Sequence, residues 1–535
     1  MGCISMGVCV LIVVLALPLC FGLLQNQLIN GHDATSNLMM ALCMDKYAGD
    51  GQFLIRWASE LNFGYGYPMF NFYPPAYFVL TFFVSKIIHD VTLTMNLIAV
   101  FFWILSGVGM YYWSKEFWGW RGALLSAVAY MYAPYHIQDI YVRSAFSEFS
   151  AFAFFPLILL SFYKINQRAH RGYVLLGVFS VFALGCGHLM MLILFMPVAI
   201  FYLLFLYFEK KDFQGLGLSF LVLGAGLMTS AFFWLPVFWE KQFLNTVFLI
   251  PSHVDFHHYF VSWQQLLHLP WGNTADFDGI SFQIGLVYLV LALVPLVFLR
   301  KKNLHYFFFL GVAAVAVFLL LPLSSFFWGS SSPLKFVQFP WRFLTIVSFA
   351  VSFLAGSLML MFKGKSANFV LPIVLVLIIC TSIKFFRPVH YLNVDQVAVK
   401  NDLSSIFYLG EGRTTPKWVL VPPLKPPLHK FEFVHGNGEI EGDRVISSIE
   451  HIAQIHAQVQ SLVCFHSFYF PGWRVFVDGK ETQIYPNNPY GVILFPVLPG
   501  EHSVRVVFGS TPVRSIAGVA SWAGLIPLGM AIWLI

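Results

Sequence analysis

The residues of this chain that can do chemistry lie in short segments between long apolar runs. The first is Gly31-His32-Asp33, a few residues after the first hydrophobic stretch ends. Asp plus Glu total only 25 in 535 residues, and an acid at the lip of a membrane helix is costly to desolvate. Asp33 can take a proton from an incoming hydroxyl, or offer hard oxygens to a divalent metal. It can equally cap the apolar-rich helix expected over Ala34 to Tyr47, because Asp is a favoured N-cap. His32 reads as a neighbour that orients or hydrogen-bonds. The same loop carries Asp45, Asp50, Arg56-Trp57 and Glu60. The aromatic runs Gly64-Tyr65-Gly66-Tyr67-Pro68 and Asn71-Phe72-Tyr73-Pro74-Pro75 follow.

A second group runs from Tyr135 to Glu148 and holds His136, Asp139, Arg143 and Glu148. Asp139 and Arg143 are four residues apart, so on a helix they can simply pair, worth a few tenths of a kcal/mol if exposed. Alternatively Arg143 meets an anionic headgroup, with Glu148 or Asp139 as a second acid. His188, in Gly185-Cys186-Gly187-His188, sits at a helix end, where a histidine is either structural or a proton carrier. His253, Asp255, His257 and His258 resemble a metal cluster, but no spacing fixes one. The last segment is Lys335-Phe336-Val337-Gln338-Phe339-Pro340-Trp341-Arg342-Phe343. Lys335 and Arg342 beside aromatics suit a phosphate near a lipid surface, since guanidinium grips phosphate with two parallel hydrogen bonds. The same residues also make an ordinary aromatic belt with snorkelling cations.

What holds these segments in place is a membrane. The chain is 58% hydrophobic and 10% charged, where soluble domains carry about 25% charged residues. No Lys or Arg precedes the first apolar run, so residues 1–24 read as a retained helix rather than a signal peptide. The seven cysteines form no C-x-x-C pair, disulfide framework or zinc spacing. The sequence lacks N-x-S/T sequons, which fits a bacterial source. The net charge of +6 reads as topology signal, and nothing points to nucleic acid as a partner.

A spanning helix needs about 20 mostly apolar residues. Candidates are 4–24, 91–113, 122–141, 149–164, 172–189, 190–208, 215–238, 283–299, 304–323, 343–362, 368–386 and 515–535, or about 12 spans. Basic clusters fall in every second connection: Lys115 with Arg121; Lys164, Arg168 and Arg171; Lys210-Lys211; Arg300-Lys301-Lys302; Lys363 with Lys365. Cytoplasmic loops carry the excess of Lys and Arg, which puts these five connections and both termini inside. By parity, residues 75–90 do not cross; they read as an amphipathic or re-entrant helix on the outer surface. The other connections, with the first loop at 25–90, lie outside. Residues 387–513 form an insert with Pro422-Pro423, Pro426-Pro427 and alternating runs. Trp473 to Lys480 reads as a strand entering a hairpin, and Gly491 to Pro496 and Ser503 to Phe508 continue the pattern. The expected fold is an α-helical polytopic membrane protein: a transmembrane module over 1–386, a small extracytoplasmic β-sandwich over 387–513, and a last helix over 514–535.

Together these segments resemble a known family. G-H-D after the first helix, R-W, G-Y-G-Y-P-x-F-x-F-Y-P-P, A-P-Y-H-x-x-D-x-Y-x-R-x-A-x-x-E and F-x-F-P-W-R-F look like the bacterial 6-pyruvoyl-tetrahydropterin-synthase-related membrane proteins. Nothing in the chain resembles the soluble pterin enzyme. Phe470 to Gly479 and Leu498 to His502 are similar to the periplasmic domain of a bacterial membrane family linked to lipoteichoic acid glycosylation. Both families look like members of the GT-C superfamily of integral-membrane glycosyltransferases. The resemblance implies an enzyme of the bacterial plasma membrane that moves a sugar from a polyprenyl-phosphate carrier to a glycan or lipid acceptor outside, with inversion. It implies Asp33 as base, Glu148 or Asp139 as a second acid, and Arg143, Arg342 and Arg56 holding phosphate. His32, His136, His188 and Lys335 are further candidates for substrate binding. A divalent metal, Mg or Mn, is a possible cofactor, although Asn37 stands where related sequences often carry a His. The rival functions are a lipid-linked-glycan flippase or transporter, and a non-catalytic assembly protein that binds glycan. Transporters keep ionisable groups near the bilayer midplane; here they cluster at helix ends.

Overall fold

The computed structural model describes residues 2–533 except 51, 53, 169–170, 246–255, 268–278, 299–302, 330–333, 335–336, 389, 397–398, 400–401 and 404–414. His253 and Asp255 of the expected metal cluster, and Lys335, lie outside the described residues.

Every apolar run expected to cross the membrane is helical. The first is Gly2–Cys20. Val91–Met131 spans two of the expected segments, joined by a kink at Gly119 with φ 66° and ψ 179°, and Pro134–Tyr141 completes the second. Phe146–Ala151 with Phe154–Ile165, Arg171–Gly187 and Leu189–Lys210 follow. Then come Leu286–Phe298, Leu304–Leu320, Leu344–Gly356 and Gly364–Ser382. Among the described residues, 6 helices are long and apolar enough to cross a bilayer by length and composition. A seventh is possible if the pair Phe213–Thr229 and Ala231–Phe243, bent by 66°, counts as one span. Several of the twelve expected segments are therefore shorter or more broken than hydropathy suggests. The C-terminal segment is one: it divides at Gly524 into Pro512–Ala523 and Leu525–Trp533. Ala76–Ile88 has 13 residues; at about 1.5 Å per residue it falls short of a hydrocarbon core of about 30 Å.

The helices sort the charged segments to opposite ends of the bundle. Phe146–Ile165 carries Glu148 near one end and Lys164 near the other, and Leu189–Lys210 begins after His188 and ends at Lys210. The basic connections meet each other: Lys164 pairs with Glu116 at 2.7 Å, Lys210 donates to the Asn166 carbonyl, and Arg121 bonds Asn368. Their alternation in sequence thus becomes a shared location. The acid-bearing turns gather at the other end.

Two short strands, β1 (Leu28–Ile29) and β2 (Tyr391–Leu392), pair antiparallel and tie the two ends of the helical module together. The β domain holds β3 (Phe431–His435), β4 (Gly438–Ser447), β5 (Glu450–Ala457), β6 (Ser461–Phe468), β7 (Trp473–Val477), β8 (Lys480–Thr482), β9 (Val492–Val497) and β10 (Gly500–Phe508). One sheet has the order β4-β5-β10-β7-β8 and the other β3-β6-β9. Their inward residues, Ile455, Val475 and Val504 from one and Val463, Phe465 and Phe495 from the other, share one core. β7 turns into β8 at Asp478 (φ 49°) and Gly479 (φ 78°), the paired positive φ of a type I′ hairpin.

The β core is completed from the first loop. Trp57 is fully buried there, 5.4 Å from Trp473 and 5.2 Å from Phe508 between ring centroids. Tyr65 stacks on Phe468, and its carbonyl accepts from the Phe468 N–H at 2.7 Å. Gly66 has φ 85°, and a Cβ there would lie 2.5 Å from the Trp57 ring. The Gly64-Tyr65-Gly66 run is therefore a clasp between the loop and the β domain.

Candidate active site

Asp33 sits at the start of helix Ala34–Tyr47, as expected of a cap, but its carboxylate makes no capping hydrogen bond. The backbone holds it instead. The Asp33 N–H donates to the Arg143 carbonyl at 2.9 Å, and the His32 N–H to the Val142 carbonyl at 3.2 Å. Gly31 lies so close to Ser144 that a Cβ would overlap the Ser144 Oγ and backbone. Asn37 finishes the splice: its Nδ2 donates to the carbonyls of Asp33 (2.8 Å) and Ser144 (2.9 Å), and its Oδ1 accepts from the Tyr73 hydroxyl. Asn37 is thus a bracket between the first loop and the 143–148 turn, using both ends of its amide.

Behind Asp33 lies a buried charge cluster. Arg143 Nη1 contacts Asp139 Oδ1, lies 2.9 Å from Glu148 Oε1 and donates to the Tyr135 hydroxyl at 3.3 Å. That hydroxyl donates to Glu148 Oε1 at 2.8 Å. Arg342 approaches from the turn before Leu344–Gly356, its Nε 3.6 Å from Glu148 Oε2. Its Nη1 is held by the Val337 carbonyl and Gln338 Oε1, both at 2.9 Å. The Arg143 guanidinium lies over the Trp341 ring at 4.9 Å. Two atoms of this cluster, Asp139 Oδ2 and Arg342 Nε, are buried without a hydrogen-bond partner. Unpaired buried polar atoms are costly, and Arg342 also lines a cavity.

A cavity of about 350 Å³ opens onto these residues. Asp33, Arg143, Glu148, His188 and Arg342 line it, with Ser36, Met40, Tyr67, Met69, Tyr73 and Ala145 as the rest of the wall. Four connections that lie far apart in sequence supply the charged groups. His188 caps Leu189–Lys210: its Nδ1 accepts from the Met191 N–H at 3.2 Å. That acceptor role leaves the proton of a neutral imidazole on Nε2, and His188 is among the residues that line the cavity. Burial raises the Asp33 carboxyl above its ordinary 3.8, with Arg143 pulling the other way and Glu148 adding to the rise.

Other candidates lie elsewhere. His136 is wholly buried and stacked on Phe152 at 4.1 Å, with Nδ1 against the Tyr130 carbonyl; an aromatic core holds it, away from the cavity. Asp139 is sealed behind Arg143, so the helical i,i+4 pairing describes it and Glu148 is the second acid that reaches the cavity. Arg56 is on the seam between loop and helices, bonded to Asn71 Oδ1 and the Phe232 carbonyl. Burial lowers it to about 10. His32 is exposed beside Asp33. Among the described residues no three His, Cys, Asp or Glu side chains form a metal-binding group. Both Glu148 oxygens already face guanidinium groups, so Glu148 is not free to ligate a divalent ion. Sequence reasoning did not single out the cavity roles of Tyr67 and Tyr73; their only signal was the density of aromatics near Asp33.

Fold and site define a helical membrane protein with a charged cavity at one end of its bundle and a β domain fastened to the loop that walls it. A family model for the 6-pyruvoyl-tetrahydropterin synthase related domain, a membrane protein, matches residues 70–389, and the chain belongs to that family. The match includes Arg143, Glu148, His188 and Arg342 and leaves out Asp33 and the β strands. Among solved structures, the chain is similar to ArnT from Cupriavidus metallidurans bound to undecaprenyl phosphate, at 15% identity and TM-score 0.44, over 69% of this chain and 63% of that one. It is similar also to the arabinofuranosyltransferase AftD from Mycobacteria, at 14% identity and TM-score 0.46, over 72% of this chain and 27% of that one. The chain thus spans less than two thirds of the length of either structure. No curated protein matches it in sequence.

Proposed function

We propose that this protein is a GT-C-type glycosyltransferase of the bacterial plasma membrane. It moves a sugar from a polyprenyl-phosphate carrier to a glycan or lipid acceptor on the extracytoplasmic side, where the cavity and β domain lie, with both termini in the cytoplasm. The observation that carries this reading is the cavity itself: a carboxylate not engaged by its own helix faces guanidinium groups across a space of about 350 Å³. An acid and fixed cations in one cavity suit a displacement that releases an anion.

In that displacement the acceptor hydroxyl oxygen bonds to the anomeric carbon. The bond from that carbon to the carrier phosphate breaks, and the phosphate leaves with the electron pair. Asp33 takes the hydroxyl proton, and its raised pKa suits a base working nearer neutral pH. Arg342, whose Nε lacks a hydrogen-bond partner, and His188 Nε2–H meet the charge growing on the phosphate. Preorganised donors do this without reorganisation cost. Arg143 is already committed to Asp139 and Glu148; its work is to hold Glu148, which in turn aims Arg342.

The test is sugar transfer by Asp33→Asn at equal expression, together with mass spectrometry of the lipid that co-purifies with the protein. Loss of transfer with a retained polyprenyl-phosphate lipid is expected. Unchanged transfer removes Asp33 as the base.

A further inference from the structure

The segment between residues 415 and 430 leads into the β domain and contains Pro422-Pro423 and Pro426-Pro427. Proline removes backbone donors and favours extended chain; the stretch between Trp418 and Phe431 has no regular secondary structure. Its large apolar side chains point out. Leu420 is 76% exposed, Leu424 80% and Leu428 95%. Val421 is exposed beside them, while Val419 turns into the β core. The N–H groups of Leu420 and Val421 both donate to the Pro489 carbonyl, which brings exposed Tyr490 alongside. Lys417, Lys425 and His429 are interspersed, and no acid occurs between residues 412 and 431.

The position of this segment is fixed by a seam with a helix. The Asn245 N–H donates to the Thr415 carbonyl at 2.8 Å and the Lys417 N–H to the Phe243 carbonyl at 2.9 Å. Phe243 ends the bent apolar pair Phe213–Thr229 and Ala231–Phe243. The same helix end exposes Phe238 and Trp239, and the Lys417 ammonium lies over both the Phe243 and Trp418 rings, at 5.1 and 5.0 Å. Tyr, Trp, Lys and leucine together are the composition of a bilayer–water boundary. Leucines this exposed in a segment seamed to the end of an apolar helix call for an apolar neighbour.

We propose that residues 417–428 are a lipid-binding tab of the β domain. Leu420, Leu424 and Leu428 enter the interfacial layer of the bilayer, and Lys417 and Lys425 meet anionic headgroups. The tab is a second membrane attachment, separate from the spanning helices. It does not depend on the transfer reaction.

The test uses the full-length protein in nanodiscs of phosphatidylglycerol or phosphatidylcholine. Nitroxide labels go at Leu424→Cys and Leu428→Cys, with Lys480→Cys at the start of β8 as reference, after Cys3, Cys9 and Cys380 are replaced by serine. The expected result is a severalfold higher ratio of oxygen to water-soluble nickel-complex accessibility at 424 and 428 than at 480, and a larger ratio in phosphatidylglycerol. Nickel accessibility at 424 and 428 equal to that at 480 in both lipids overturns the tab. Dipolar broadening between 424 labels overturns it in favour of contact between two copies. Equal immersion in both lipids overturns the role given to Lys417 and Lys425.

Discussion

Two clusters of buried charge, built from the same residue types, behave differently. In one, Glu240 Oε2 accepts from Arg514 Nε and Nη2 at 3.1 and 2.9 Å, and Oε1 accepts from the Thr511 hydroxyl at 2.7 Å. Two further Arg514 hydrogens go to the carbonyls of Gly509 and Pro471. This cluster locks helix Ala231–Glu240, helix Pro512–Ala523 and the β domain together. In the other, Arg143, Asp139, Glu148 and Arg342 leave two polar atoms unpartnered and face a cavity that Asp33 shares. Burial and ion pairing are common to both. What separates them is that each buried polar atom of the first has a partner within the protein, while two of the second do not. The first cluster works as a clasp, and the second, which opens onto a cavity, is the candidate site.

The largest effects should fall on the open cluster. Asp33→Asn is expected to lower sugar transfer about 10²–10⁴-fold, the range of general-base catalysis, with an unchanged thermal midpoint. The wild-type rate should also fall as pH drops through the Asp33 pKa, which lies above its ordinary 3.8. Only the ionised carboxylate accepts a proton, so rate versus pH should show this acid limb in the wild type and lose it in Asp33→Asn.

The closed cluster should answer in stability instead. Glu240→Gln leaves Arg514 without its counter-charge and is expected to cost about 3–5 kcal/mol. A lowered unfolding midpoint in detergent, with transfer per folded molecule retained, would bear this out; lost transfer at unchanged stability would merge the two clusters. Trp57→Ala opens a void in the β core and is expected to cost about 3 kcal/mol. Limited proteolysis should then cut the first loop near Tyr65. The smallest effect belongs to His188→Leu. Loss of one neutral donor toward the phosphate is worth about 1 kcal/mol, or roughly tenfold at most in kcat/KM.

Much of the helical module was legible because crossing a bilayer imposes apolar runs and charge asymmetry on a sequence. The basic clusters at Lys115–Arg121, Lys164 and Lys210 announced one end of the bundle, and the structure gathers them there. Asp33, Glu148, His188 and Arg342 stood out for the same reason: each is a polar residue at an apolar boundary, and all four reach one cavity. His136 has the same signature and a different fate. Its stacking partner Phe152 and its neighbours Trp103 and Phe149 belong to other helical stretches, and spacing around His136 carries no trace of them. Arg56-Trp57 read as chemistry because the strands that receive Trp57 lie near the other end of the chain. The break at Gly524 was hidden by an unbroken apolar composition, which reports burial or lipid contact but not where a helix stops.

Tyr65 and Ser467, which hydrogen-bond at the clasp, are 402 residues apart. The loop carrying Tyr67, Met69 and Tyr73 therefore leaves the ribosome long before the strands that fasten it. A nascent chain can thread its early helices into the bilayer, but the cavity gains a fixed wall only once the β domain has been made and folded. Synthesis of the β domain thus acts as a timer: a chain stalled before β6 holds Asp33 and Arg143 but not the strand that fastens the loop beside them.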